Sequence, residues 1–155
     1  MGMDIHGKNP KNIGGEYFRN NVWWWRPLAN YVCAIAPDIT QHCNQWQSND
    51  GDGLNETQCK QLAERIREDI GSGATLAYEQ AYKAGLQHMP DESCDICAGT
   101  GYRKETPDTG AGDIPCNGCS ETGKVSAWET HYPFELSNVE EFADFLTNCG
   151  GFEIW

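Results

Sequence analysis

A chain of 155 residues is long enough for one domain with a small module set into it, and a net charge of −12 argues against direct nucleic-acid binding by phosphate neutralisation. No apolar run approaches the length of a membrane span, and the opening "MGMDIHGKNP" has neither a basic leader nor an apolar core, so a cytoplasmic location with no membrane association is expected. Eight cysteines without an export signal point to metal ligands or buried thiols rather than disulfides.

In chain order, "MDIH" reads as a strand. Asp4 and His6 lie in an Asp-Ile-His-Gly stretch resembling the first metal motif of metallophosphoesterases, but the later histidine motifs of that family are missing. Three successive tryptophans follow, Trp23, Trp24 and Trp25, and three neighbours cannot share one face of a helix or a strand. At least one should therefore lie off the core. Because tryptophan is enriched at binding hot spots, this stretch is read as a surface for a partner or a small ligand.

"RPLANYVCAIAP" predicts a short helix, with Pro27 at its first position and Pro37 beyond its end. "DITQHCNQW" adds a helical turn. "SNDGDGLNE" resembles a calcium loop, with Ser48, Asp50 and Asp52 at alternate positions, but Cys59 falls where the closing glutamate belongs, so a glycine-rich turn is expected. "NETQCKQLAERIREDIG" is the clearest helix, capped by Asn55 and stopped by Gly71, with Cys59, Leu62, Ala63, Ile66 and Ile70 on one stripe. A second helix over about 75–87 carries Leu76, Tyr78, Ala81, Tyr82 and Leu86.

Next come Cys94-Asp-Ile-Cys97 and, eighteen residues on, Cys116-Asn-Gly-Cys119. This spacing is that of a four-cysteine zinc site: each tight turn aims two thiolates at one ion, and two turns complete a tetrahedron. Glycines after each pair allow close backbone approach or positive φ. Four thiolates close the coordination sphere, so a single structural Zn2+ is expected rather than a catalytic one. The polar linker "YRKETPDTGAGDIP" has little core of its own and needs that support.

Beyond it, "KVSAWETHYPF" reads as extended chain, "SNVEEFADFLTNCGG" as a helix with a Ser137–Glu140 capping box, and "FEIW" as a strand. The predicted fold class is α+β. A small sheet gathering the chain ends and "VSAW" is packed by three or four helices (residues 1–90 and 125–155), with an inserted zinc knuckle over residues 91–124.

"CDICAGTG" matches the CxxCxGxG repeat of the cysteine-rich zinc domain in DnaJ-type chaperones, and "CNGCSETG" departs from it at Glu121. The resemblance runs from Cys94 to about Lys124. It implies a zinc-stabilised hairpin module but not chaperone activity, since only two of the four repeats and no J-domain signature are present. The whole chain also resembles a group of small proteins of bacteria and their phages. Its members share the Met-Gly-x-Asp-Ile-His start, "NNVWWWRPL", and an ending near "WETHYPF…GGFEIW".

The expected function is therefore binding of another macromolecule, a protein, by a non-enzymatic zinc-stabilised chain. If it is phage-encoded, it would act in the host cytoplasm against a host enzyme or defence complex. The alternative is a small metal-dependent hydrolase or nucleotide-processing enzyme built from Asp4, His6, Asp50 or Asp52, and His131.

Overall fold

The computed structural model describes residues 2–155. In chain order its elements are β1 (Gly2–Gly7), β2 (Tyr17–Asn21), α1 (Val22–Ile35), α2 (Pro37–Thr40), β3 (Asp52–Asn55), α3 (Glu56–Ser72), α4 (Ala74–Gln87), β4 (Glu92–Ser93), β5 (Tyr102–Arg103), β6 (Ile114–Pro115), β7 (Lys124–Val125), α5 (Leu136–Asn148) and β8 (Gly151–Ile154). The fold is α+β. The chain forms two compact units, the first running to Lys83 and resuming at Tyr132–Trp155, the second being Ala84–His131. The segment 91–124 read as a module lies inside the second.

In the first unit four antiparallel strands form a sheet in the order β2-β1-β8-β3. Alternation along β1 buries Met3 and Ile5 and turns Asp4 and His6 outward, as the two-residue period requires. Ile5 pairs with Phe18 on one side and Ile154 on the other, so one row of apolar side chains crosses the sheet. Against that face pack Trp25, Leu28 and Val32 of α1, Leu62 and Ile66 of α3, and Phe142 and Leu146 of α5.

Helix α1 begins five residues before Pro27. The Asn21 side chain accepts from the backbone N–H groups of Trp23 and Trp24 at 3.0 and 3.1 Å, a stronger start signal than the proline, which lies inside the helix. Helix α3 carries a full capping box between Asn55 and Gln58. It ends at Gly73 rather than Gly71, because Gly73 is the residue that adopts φ +83°.

Helix α4 is less buried than its apolar pattern predicts: Thr75 is its buried residue, and Leu76 is 45% exposed. The expected box at Ser137 does not form, since α5 starts two residues earlier, from an extended Glu135, and Ser137 falls inside its first turn. "VSAW" does not join the main sheet. Lys124 and Val125 pair with β4, and residues 128–131 form a 3-10 turn. The places in the sheet are taken by β2 and β3, where only Phe18 and Leu54 are fully buried, too weak a pattern to announce a strand. Among the described residues no helix is long and apolar enough to cross a membrane.

Candidate metal centre

Two short antiparallel strand pairs frame the second unit. Strand β4 pairs with β7, and β5 pairs with β6. Each brings one cysteine pair to the middle, because Cys94 N–H donates to the Gly123 carbonyl and Cys116 N–H to the Gly101 carbonyl, both at 2.9 Å. The two halves thus hold each other reciprocally.

Each cysteine turn repeats the other bond for bond, 22 positions apart. Gly99 N–H donates to Cys94 O at 3.0 Å, and Glu121 N–H to Cys116 O at 3.0 Å. The Thr100 hydroxyl lies 2.8 Å from Cys97 O and 2.7 Å from Tyr102 O, and the Thr122 hydroxyl lies 2.6 Å from Cys119 O and 3.0 Å from Lys124 O. Gly101 N–H points at Cys97 Sγ and Gly123 N–H at Cys119 Sγ, each at 3.3 Å. Two backbone dipoles are therefore aimed at sulfur, where they favour thiolate over thiol.

The threonines are the residues that spacing arguments overlook. Their signal is present all the same: a Thr-Gly step falls six residues after the first cysteine of each pair.

The glycines are required sterically. At Gly101 a Cβ would collide with the Glu121 carbonyl, and at Gly123 with the Gly99 carbonyl. Both adopt positive φ, at +81° and +73°.

At the centre, the four sulfurs of Cys94, Cys97, Cys116 and Cys119 all lie within 4.8 Å of one another and are buried. The Cys94–Cys116 separation is 3.9 Å and the Cys97–Cys119 separation 3.7 Å. A tetrahedral zinc with bonds of about 2.3 Å spaces its sulfurs about 3.8 Å apart. The donor set and its dimensions fit one four-coordinate metal ion. Burial opposes ionisation of Cys97, but the Gly101 N–H and the three neighbouring thiols outweigh it and bring its pKa down to about 7. Cys119 is pushed up to about 11, first by burial.

The other cysteines are apart from this cluster. Cys59 and Cys149 are fully buried in the first unit's core, Cys43 is buried and Cys33 half-buried, and none of the eight cysteines forms a disulfide. Burial raises the Cys43 pKa to about 12, which keeps the thiol protonated and inert.

The remaining candidate residues separate. Trp25 is fully buried, stacks on Trp46 and donates its Nε1–H to the Trp46 carbonyl at 2.5 Å, so it is a core residue and cannot be a partner contact. Trp23 and Trp24 are half-buried, and Trp23 packs on Tyr132.

Asp4 and His6 lie on the outer face of the sheet, where Asp4 accepts from the Tyr17 hydroxyl and pairs with Arg19, and His6 packs on the Tyr17 ring. Asp52 organises its loop by accepting from the N–H groups of Asn44, Gln45 and Gly53. Asp50 belongs to the first unit and His131 to the second. Among the described residues, the four cysteines are the group of metal-ligating side chains that gathers; Asp4, His6, Asp50, Asp52 and His131 form no such group. Comparison with protein-family models, curated proteins and solved structures finds no match.

Proposed function

We propose that this chain is a non-enzymatic protein that binds a protein partner and whose second unit is held in shape by one structural zinc ion. The observation that carries the reading is the closed set of four buried sulfurs at the spacing of a tetrahedral site. With every coordination position taken by thiolate, the ion has no place for water or substrate, and its contribution is folding energy. Such sites supply about 10 kcal/mol or more to segments that lack a core. The second unit is such a segment: its apolar cluster is the four cysteines with Val125 packed against them.

The resemblance of Cys94–Lys124 to the DnaJ-type zinc module supports zinc over iron. The likeness to small proteins of bacteria and their phages supports an interfering role inside a bacterial host. High acidity gives the chain a ready attraction to basic partners.

Metal analysis of the purified protein tests the zinc: one zinc per chain is expected, and none in Cys97→Ser with Cys119→Ser. Iron at the site, or disulfides among these cysteines, would overturn the assignment. Affinity capture at physiological salt, with the metal-loaded and the chelated protein side by side, tests the binding role. A partner retained by the loaded form alone is expected.

A further inference from the structure

Resting on the binding reading above, we propose that the second unit docks a basic protein segment with apolar anchors, through Ile114 of its β5–β6 hairpin and Ile96 of the first cysteine turn. Arg103 and Ile114 are directly paired across β5 and β6, so their side chains leave the hairpin on the same side. Ile96 and Arg103 line one cavity of about 250 Å3 together with Thr106, Pro107, Asp108 and Asn117. Ile96 and Ile114 are 42% and 38% exposed. Single exposed isoleucines are ordinary, but Ile114 leaves the hairpin on the side of Arg103, and Ile96 of the first cysteine turn shares the cavity with Arg103, so the two form an anchor site.

Charge selects the occupant. The second unit holds eight carboxylates against three basic side chains. Every Lys or Arg ion pair among the described residues joins side chains of the first unit, so none of these eight carboxylates is compensated by one. Asp95 and Asp113 each precede one of the two isoleucines, and Asp108 lines the cavity. Arg103 is turned inward, donating to the Lys104 carbonyl and the Thr106 hydroxyl at 3.1 and 3.2 Å. Apolar anchors on a unit with this excess of acid, next to a cavity that Asp108 lines, fit a segment that alternates apolar and cationic residues, and complementary charge speeds the encounter. Tyr102 is similarly exposed, but the strand alternation places it on the reverse side, and it serves as the internal control.

The test uses the full chain, 15N-labelled and metal-loaded, titrated with a short peptide of alternating leucine and lysine. Amide shifts are expected at residues 95–97, 103, 108 and 113–115. Ile96→Ser with Ile114→Ser should weaken binding at least about tenfold, and Tyr102→Ser less than about twofold. A leucine–glutamate peptide should not bind. The same variants loaded with cobalt should keep the thiolate absorption of the intact site, which separates a lost surface from a lost fold. Shifts that gather on the acidic side chains of α3 and α5, or equal weakening by Tyr102→Ser, would overturn the proposal. Absence of the cobalt absorption in the native sequence would remove the metal reading and this one with it.

Discussion

Glu121 stands in the second cysteine turn where the first has a glycine. Its counterpart Gly99 takes φ +78°, and Glu121 takes φ +65° with a full side chain. A left-handed conformation costs an L-residue about 1–2 kcal/mol, and glycine nothing comparable. Glu121→Gly should therefore stabilise the second unit by about 1 kcal/mol, read as tighter metal retention against a competing chelator. Gly101→Ala should do the opposite and more strongly, since a methyl there meets the Glu121 carbonyl. The glutamate persists because the turn's other bonds, Glu121 N–H to Cys116 O and the Thr122 hydroxyl to Cys119 O, over-determine its backbone.

At the scale of elements, α4 is attached by polar and aromatic contacts rather than by an apolar stripe. The Tyr31 hydroxyl of α1 lies 2.8 Å from the Thr75 hydroxyl and 3.2 Å from the Asp69 carboxylate, while its ring packs on Tyr78 and Phe134. Burial, with the Asp69 charge adding to it, raises the Tyr31 pKa above the usual 10.0. A group whose folded pKa is raised stabilises fully below its unfolded pKa, and that contribution is lost as pH rises through the folded value. Phenolate absorbance at 295 nm should thus appear at higher pH for Tyr31 than for an exposed tyrosine, and stability should fall across the same interval. Tyr31→Phe should reduce that pH dependence, the remainder belonging to Tyr78 and Tyr82, whose pKa values burial also raises.

This attachment also explains which elements could be read in the sequence. Helix α3 was legible because Asn55, Gln58 and the Cys59–Leu62–Ile66 stripe all favour the same start and face. Helix α4 was legible as a helix but not in its packing, since hydroxyls and ring edges leave no periodic trace. The gathering of the four cysteines was legible because a site of this kind imposes its spacing directly on the chain. Strands β2 and β3, each with a single buried apolar side chain, carry no such imprint.

For the whole molecule, the two units rest on different sources of stability. The first has a continuous core from Ile5 to Ile154, and the second has its sulfurs and Val125. If the four cysteines hold the proposed ion, chelation should melt residues 84–131 while leaving the first unit folded. Trypsin should then cut at Arg103, Lys104 and Lys124 in the chelated protein, with Arg19, Arg65 and Arg67 protected. Acid should have the same effect. A bound ion holds its thiolates far below their free pKa, so this stabilisation is present above the free thiol range and is lost as protons displace the metal. Loss of both units together would show that the second is not independently held.

The sheet order places β8 between β1 and β3. Of this sheet's four strands, the latest in chain order is thus the one that joins β1 to β3 across the middle. A ribosome delivers residues from the first onward, so β1 and β3 emerge and wait, each with an open edge, until residue 154 has cleared the exit tunnel. Closure of this sheet therefore waits on β8, and until β8 arrives the growing chain offers open strand edges to wrong partners.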